Sequence, residues 1–512
     1  MSISIDIVPL AESIDMYGMP DTLSAYSLSG HVSISIKSPY SLFERRSTTR
    51  LLLQSLELTF EGQTEVLNPK VGYSAVRLCS FSRELVTGGP VGLSNEGDED
   101  STDDCVWNVV FNLPIPGWLP ETTCIGIPDL GVRYALHANA KFTVSNDCHA
   151  SFPWAFATLC TPFRSRIRYA RAQKRICLRR FAEPPSDVPF NPATTSYMIK
   201  TSPLVSKSSI PIEILEKIQV VVAVPEFVDI QASILPVVLR LRTSGLDSVH
   251  CKRLQVKEIA VDIAQKEKYR SSASASYLEA YPVPPRDRQP PNEPLLTPHP
   301  VGNVYEYGLA ISPAKPLDAS IRAISFLPPG ESGRHCFGKD NYAFTDDSVP
   351  NDNPDWYTIE VSLPFASQQT IVDASDWCTE PVELLPSMRT PLFQIAHEVT
   401  LRVTLSYDDD ANRNRFHDRL TMKVPVTMVN VLPPMPSQRE LHSVSPSPVP
   451  HEASGMNPYP LPAYSQLYDE EGDRKIDYSV PLPLYAPPNI NEESETNVKI
   501  TKPSLQPHSI DL

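Results

Sequence analysis

Apolar and polar residues alternate with a period of two in many short runs of this chain. Leu56, Leu58 and Phe60, for example, alternate with Glu57 and Thr59. A period of two is that of a β-strand with one buried face. No segment has the spacing of a long amphipathic helix. The pattern therefore predicts an all-β protein, and its clearest run consists of Tyr134, Leu136, Ala138, Ala140, Phe142 and Val144.

Proline and glycine contents refine this fold class. The chain contains 53 prolines and 19 glycines. Proline interrupts helices and is common in the loops between strands and at sheet edges. Many short strands joined by Pro-rich turns predict two antiparallel, immunoglobulin-like β-sandwiches. Pro425 lies inside the alternating run of residues 422–428, so we expect an edge strand there.

Composition divides the chain into segments. We predict a first sandwich over residues 1–184, a Pro/Ser/Thr-rich linker over 185–209 and a second sandwich over 210–432. A Pro-rich insertion at about 271–353 interrupts the second sandwich, and an insert of that length is expected to be a mobile loop. Residues 433–512 are rich in proline and lack apolar periodicity, which predicts a disordered tail.

Charge and cysteine content indicate the class of partner and the cellular compartment of the protein. The formal net charge of -15 argues against nucleic acid as the main partner. The first basic residue is Lys37, which is not typical of a secretory signal. Proline and acidic residues break the most apolar stretch, 218–241, so it does not read as a membrane span. The nine cysteines include no Cys-x-x-Cys pair, so we expect a cytoplasmic protein with reduced, largely buried thiols.

No local motif of catalysis is present in the sequence. The chain has no Gly-x-Ser-x-Gly, no His-Glu-x-x-His and no phosphate-binding Gly-rich loop. The run 408–414 is rich in Asp and Asn, but Arg413 and Arg419 occupy the positions where a calcium loop needs Gly and Glu. We therefore predict a protein that is not an enzyme and that has no metal site and no cofactor.

Charged clusters and Ser-Pro pairs give further candidate sites. The acidic run 96–104 is interpreted as a solvated loop. Ser445 and Ser447 each precede proline and are candidate phosphosites, where added charge would act close to the tail motifs described next. One basic cluster is interpreted either as a contact for anionic lipid or acidic cargo or as a solvated strand face. It consists of Arg164, Arg166, Arg168, Arg171, Lys174, Arg175, Arg179 and Arg180.

The tail carries two near-copies of one motif, Pro-Leu-Pro-Ala-Tyr at 460–464 and Pro-Leu-Pro-Leu-Tyr at 481–485. A Leu-Pro-x-Tyr element is similar to a ligand of WW domains. Proline favours the polyproline II conformation that these domains bind, and tyrosine adds a large ring with a polar tip. Tyr464 also starts a Tyr-x-x-Leu pattern of clathrin adaptors, for which Leu467 matters and Pro462 does not. The predicted WW contacts are Leu461, Pro462, Tyr464, Leu482, Pro483 and Tyr485.

Landmarks in both predicted sandwiches resemble the arrestin family. Residues 107–114, Trp-Asn-Val-Val-Phe-Asn-Leu-Pro, and the later 131–136, Gly-Val-Arg-Tyr-Ala-Leu, are similar to strands of the arrestin N-terminal domain. The Gly-containing run 26–32 resembles an early strand of that domain. The runs 397–405 and 420–428 resemble the closing hairpin of the arrestin C-terminal domain, and 251–269 resembles one of its inner strands.

Together with the two tail motifs, these landmarks resemble the α-arrestins. The resemblance implies an adaptor whose sandwiches dock on membrane transporters or receptors and whose tail binds the WW domains of a HECT-type ubiquitin ligase. The ligase would ubiquitinate the cargo, which is then internalised and sorted. Such an adaptor is cytoplasmic and is recruited peripherally to plasma membrane and endosomes. Two alternatives remain open: an arrestin-fold coat or sorting scaffold without ligase recruitment, and an enzyme with unrecognised chemistry.

Overall fold

The computed structural model describes most of the chain up to residue 433. The described residues are 2–37, 50–94, 105–125, 130–145, 167–184, 186, 188–200, 209–297, 317–338, 344, 356–369, 381–409 and 414–433. The all-β prediction is confirmed, because these residues form two antiparallel sandwiches with only short helices. The predicted tail, 433–512, lies outside the described residues except for its first residue.

The first sandwich consists of a small sheet that packs on a large one. Its strands are β1 to β10 in chain order. The small sheet has the order β1-β3-β7 and the large sheet the order β2-β10-β9-β4-β5. β6 extends the large sheet beside β4, and β8 extends it beside β9. The strands are β1 (Ser2–Pro9), β2 (Ser13–Tyr17), β3 (Ala25–Lys37), β4 (Arg50–Asn68), β5 (Gly72–Glu84), β6 (Val91–Ser94), β7 (Cys105–Pro116), β8 (Thr123–Cys124), β9 (Gly131–Ser145) and β10 (Ile167–Phe181).

The second sandwich has sheets of order β11-β12-β14-β18 and β13-β23-β22-β15-β16. β17 pairs with β15, β21 pairs with β22, and β19 forms a separate pair with β20. The strands are β11 (Thr194–Lys200), β12 (Ile218–Pro225), β13 (Phe227–Asp229), β14 (Ile234–Thr243), β15 (Leu254–Arg270), β16 (Ala319–Ser325), β17 (Arg334–Cys336), β18 (Tyr357–Pro364), β19 (Gln368–Gln369), β20 (Val382–Glu383), β21 (Met388–Arg389), β22 (Phe393–Asp409) and β23 (Asn414–Val429).

Helices are short connections between these strands. The described residues contain α1 (Ile212–Leu215), α2 (Ser248–Cys251), α3 (Ala275–Ala280) and a 3-10 turn at Arg286–Arg288. Asp247 caps α2, because its carboxylate accepts a hydrogen bond from the amide of His250 at 2.8 Å. None of these helices is long enough to bury an apolar face of its own, so the sheets supply the cores.

The large sheets of the two sandwiches share one strand order. In each sheet a short strand runs parallel to the end of a long strand: β2 beside β10 in the first and β13 beside β23 in the second. Antiparallel neighbours then follow in the same sequence, so β4 of the first sheet corresponds to β15 of the second. Both corresponding strands carry a buried Gln-x-Glu, at residues 63–65 and 265–267.

Alternating apolar side chains of the facing sheets form the cores. In the first sandwich Val32 of the small sheet and Phe60 and Leu136 of the large sheet are fully buried in one cluster. In the second sandwich Val220 and Leu401 come from facing sheets and are likewise fully buried in one cluster. The first cluster also extends into residues of the second sandwich, so apolar burial joins the two bodies.

Two predicted loops are wrong in part. The predicted linker 185–209 contains β11, which pairs with β12, because its alternate residues Tyr197 and Ile199 pack against the second core. The predicted mobile insertion 271–353 contains β16, which pairs with β15, and a segment that lies on the first sandwich. Composition alone was insufficient here, because strand pairing and packing against the sandwiches decide the structure of these residues.

The structure bears on two further predictions, the edge strand at Pro425 and the burial of the cysteines. β13 pairs only with the last three residues of β23, so β23 has no partner on that side at Pro425 within the described residues. Among the six described cysteines only Cys79 and Cys251 are buried, whereas Cys124 and Cys336 are exposed. The prediction of largely buried thiols is therefore wrong, because the exposed ones lie on the short peripheral strands β8 and β17.

A buried histidine, His397, connects Ser387 to strand β15 of the second sandwich. His397 Nδ1 lies 2.9 Å from Ser387 Oγ, and its Nε2 lies 3.3 Å from Gln265 Oε1. Ser387 Oγ in turn accepts a hydrogen bond from the Met428 amide. Burial lowers the pKa of His397 to about 3, so the ring is neutral in the folded protein at neutral pH.

We expect His397 to make the fold acid-sensitive. Because its pKa in the unfolded chain is about 6.5, the unfolded state binds more protons as pH falls from there towards 3. The free energy of unfolding therefore declines with acidification by up to about 1.4 kcal/mol per pH unit. Urea denaturation at several pH values should show a shallower decline for His397→Gln. The exposed His417 provides the control: His417→Gln should keep the wild-type slope, and equal slopes for both variants would contradict the prediction.

Candidate functional site

The predicted ligase contacts and phosphosites lie outside the described residues. These are Leu461, Pro462, Tyr464, Leu482, Pro483 and Tyr485 in the tail motifs and Ser445 and Ser447 before them. The acidic run 96–104 also lies outside, as do Arg164 and Arg166 of the basic cluster. These assignments therefore remain predictions. The candidate site described below consists of residues of the two sandwiches.

The basic cluster does not form one uniform surface. Arg168, Arg171 and Arg175 are exposed on β10. Lys174 forms an ion pair with Glu12, and Arg179 forms one with Asp15 at 2.7 Å. Arg180 is part-buried, and its guanidinium donates hydrogen bonds to main-chain carbonyls. The prediction of a surface contact for lipid or cargo therefore rests on the exposed arginines and is wrong for Arg180.

A segment of the second sandwich, residues 281–297, lies on the outer face of the first sandwich and is called the strap. Aromatic packing anchors its start. The Tyr281 ring stacks on Trp118 with centroids 5.7 Å apart, and Tyr277 of α3 contacts Tyr281 at 4.9 Å. Tyr277 is buried within the first core cluster. These rings contribute apolar burial that ties the two sandwiches together.

Gln289 fixes the middle of the strap to strand β5. Its side-chain oxygen accepts a hydrogen bond from the Arg77 amide at 2.8 Å, and its side-chain nitrogen donates to the Arg77 carbonyl at 2.9 Å. The glutamine amide thus imitates a neighbouring β-strand at the position of Arg77. Since β5 is an edge of the large sheet, the strap also covers part of that edge.

The Arg77 side chain is the centre of the strap contact and is only 1% exposed. Its Nε donates to Glu61 Oε1 at 2.6 Å, and its Nη2 donates to the Pro294 carbonyl at 2.5 Å. Its Nη1 donates to the Arg288 carbonyl. One guanidinium thereby joins β4, β5 and two turns of the strap, and its fork of donors suits this arrangement.

Polar residues of β4 and its neighbours receive the end of the strap. The second oxygen of Glu61 accepts a hydrogen bond from the Leu296 amide at 2.7 Å. The Thr297 hydroxyl lies 3.1 Å from both Gln173 Nε2 and His137 Nε2. Burial lowers the pKa of His137, so a neutral ring meets the hydroxyl. The strap therefore satisfies polar groups that would otherwise face water.

The two sandwiches also meet where β10 and β23 end. We call this contact the joint, formed by residues 180–182 and 429–430 together with Glu121. Phe181 and Asn430 form a parallel bridge, and the Ala182 amide donates to the Asn430 carbonyl at 3.0 Å. The Asn430 side-chain nitrogen donates to the Arg180 carbonyl and to Glu121 Oε2. A single asparagine thus connects both main chains across the joint.

Arg180 supports the joint from the side of the first sandwich. Its Nη2 donates to the carbonyls of Gly117 and Leu119 at 2.6 and 2.9 Å, and its Nη1 donates to Gly18 at 3.1 Å. The guanidinium is therefore used to hold loops together. Glu121 forms no salt bridge with any residue that the structure describes, and burial raises the pKa of this carboxyl to about 7.

A cavity of about 550 Å³ opens beside the end of the strap. Arg133, Arg175, Thr123 and Cys177 are among the residues that line it. Arg133 binds Glu65 through Nη2, while its Nε and Nη1 are buried without a hydrogen-bond partner among the described residues. The size suits a small ligand, and unused guanidinium donors suit an anion or ordered water.

Comparison with known proteins leaves the family of the chain open, because no protein-family model and no curated protein matches it.

Among the residues that the structure describes, no group of three or more His, Cys, Asp or Glu side chains is placed to hold a metal ion. In the same part of the chain, no helix is long and apolar enough to cross a membrane.

Sequence reasoning missed the residues on which the strap and the joint depend. Glu61 continues the polar side of the run that begins with Glu57 and Thr59, yet it is 2% exposed. Arg77, Glu121 and Asn430 stand in no motif. One available signal was the density of polar residues in 61–65, Glu-Gly-Gln-Thr-Glu, directly after an apolar strand face.

We expect Arg77→Met to release the strap and to destabilise the protein. Losing the cation leaves the buried Glu61 carboxylate unpaired, which costs about 3–5 kcal/mol. Trypsin should then cleave faster after Arg286 and Arg288 of the exposed 3-10 turn, and the urea midpoint should fall. The double variant Arg77→Met/Glu61→Gln should regain part of the loss, because no buried charge remains.

Arg83→Met is the matched control for this experiment. Arg83 lies on the same strand, where its exposed guanidinium donates to the Asn112 carbonyl. We expect a change of about 0.5 kcal/mol or less. Equal effects of the two single variants would show that Arg77 has no special role.

Proposed function

We propose that this protein is a cytoplasmic adaptor that links membrane transporters or receptors to a HECT-type ubiquitin ligase. The sandwiches would bind the cargo, and the tail motifs would bind WW domains of the ligase. The adaptor would be recruited peripherally to plasma membrane and endosomes, where ubiquitinated cargo is internalised and sorted. It would have no catalytic role of its own.

Two tail motifs carry this proposal. Leu461-Pro462-Ala463-Tyr464 and Leu482-Pro483-Leu484-Tyr485 repeat one pattern within a Pro-rich segment. A single occurrence in such a composition would have little weight, whereas a repeat behind two sandwiches supports a common role. The resemblance of the sandwich landmarks to α-arrestins supports the same assignment.

The chemistry of the motif suits a WW groove. Proline restricts the backbone to extended conformations before binding, so little conformational entropy is lost on docking. The leading proline and the tyrosine would fill adjacent aromatic-lined slots, and the tyrosine hydroxyl would keep a polar partner.

Two copies permit bivalent capture. A flexible linker of about twenty residues spans roughly 25 Å, which is a plausible reach for tandem WW domains of one ligase. Bivalent binding can raise avidity by about 10²–10⁴ without new contacts. Weak single motifs are therefore sufficient for stable recruitment.

The sandwiches supply a body of suitable construction for cargo binding. The strap and the joint connect them through buried polar contacts, and Arg168, Arg171 and Arg175 stand exposed on β10. An exposed basic strand is complementary to acidic cargo tails or anionic headgroups. This placement supports a cargo or membrane contact on the first sandwich.

We expect Tyr464→Ala/Tyr485→Ala to abolish ligase binding, and each single change to weaken it by the loss of bivalency. The measurement is isothermal titration of residues 457–489 against tandem WW domains of a HECT ligase, followed by pull-down with the full chain. Binding that persists in the double variant would remove the basis of the proposal and favour the coat or sorting scaffold.

Three further variants sharpen this test. Tyr468→Ala/Tyr478→Ala changes two tail tyrosines that stand outside both motifs, so it should bind like wild type. Pro462→Ala should weaken WW binding, whereas Leu467→Ala should leave it unchanged. The opposite result, with Leu467 required, would assign Tyr464 to clathrin-adaptor binding.

A further inference from the structure

The joint contains an ionisable group in an unusual position. Glu121 is 8% exposed and lies between the two sandwiches. Its Oε2 accepts hydrogen bonds from Asn430 Nδ2 at 3.0 Å and from the Arg180 amide at 3.4 Å. The nearby guanidinium of Arg180 is directed to the carbonyls of its own sandwich. The carboxyl group is therefore largely buried at this contact, and it forms no salt bridge with a residue that the structure describes.

A small cavity of about 150 Å³ adjoins this carboxyl group. Residues of both sandwiches line it, among them Glu121, Arg180, Phe227, Ser387 and Asn430. The cavity gives the carboxyl group a route for exchanging a proton with solvent and leaves room for movement at the contact.

We propose that Glu121 makes the joint a proton-controlled hinge, in which the two sandwiches are held together more firmly at acidic than at neutral pH. This inference goes beyond the adaptor function and does not depend on it. It assigns a regulatory role to one carboxyl group at the only described bridge between the ends of β10 and β23.

Proton linkage gives the direction of the effect. Burial raises the pKa of Glu121 from 4.5 to about 7 in the closed joint, and opening the joint to water would return it towards 4.5. Opening therefore releases a proton between these values. The ratio of open to closed joint should rise by up to about tenfold per pH unit from 4.5 to 7 and level off above 7.

Other titratable groups at the joint do not explain such a window. The Arg180 guanidinium remains charged throughout. Burial raises the pKa of Tyr134, whose hydroxyl donates to the Pro120 carbonyl beside Glu121. Burial lowers the pKa of His397 behind Ser387 to about 3. Arg389 also lines the cavity.

Hydrogen exchange of the Ala182 amide tests the proposal directly, because this amide donates to the Asn430 carbonyl across the joint. Mass spectrometry of the full chain at pH 5 to 8, corrected for intrinsic exchange, should show protection falling by up to about tenfold per pH unit until pH 7. Glu121→Gln keeps the shape but cannot ionise, so its protection should be independent of pH. Amides of the central strand β9 report global unfolding.

Two controls make the outcome decisive. Glu279→Gln removes an exposed carboxylate of α3 and should leave the wild-type profile unchanged. Asn430→Ala weakens the joint but keeps Glu121 ionisable, so protection should fall at every pH while the slope remains. A wild-type profile without slope, or the same slope in Glu121→Gln, would overturn the proposal. If Glu121→Gln does not fold, loss of the slope in Asn430→Ala would overturn it equally.

Discussion

The buried ion pair of Arg77 and Glu61 is the interaction on which the arrangement of the two sandwiches depends. Both side chains are almost completely buried, and such a pair is tolerable only when hydrogen bonds satisfy its remaining donors and acceptors. The strap supplies those partners through the carbonyls of Arg288 and Pro294 and the amide of Leu296. Strap and ion pair therefore require each other. The second sandwich completes the polar face of the first, which is why the two bodies form one contact system.

The joint differs from the strap contact in the interactions of its buried carboxyl group. There the carboxyl group of Glu121 accepts hydrogen bonds from Asn430 and from the Arg180 amide, and it forms no salt bridge with a residue that the structure describes. Arg77 holds the strap through hydrogen bonds to Glu61 and to the carbonyls of Arg288 and Pro294. Glu121 instead couples the contact of β10 and β23 to proton concentration. A contact held by a buried ion pair and a contact that depends on one carboxyl group thus lie at separate points of the same interface.

A division of labour between sandwiches and tail is consistent with the proposed adaptor. Rigid sheets present fixed surfaces, as the exposed arginines of β10 illustrate. The Pro-rich tail with its two short motifs would supply linear ligands that a small domain could bind at low entropic cost. In the proposed adaptor, the sandwiches would bind cargo and the tail would bind the ligase, so each segment would have one role.

The sequence by itself determined the fold class, because the period of two in runs such as Leu56, Leu58 and Phe60 depends only on which residues face a core. It also determined the tail motifs, which need no tertiary context. Only the tertiary structure decided that Thr194–Lys200 is a strand, that the strap covers the first sandwich, and that Glu61 and Arg77 are buried. Alternation shows which side of a strand carries polar residues. It does not show whether water or a segment two hundred residues away will satisfy them, since that choice is made by long-range packing.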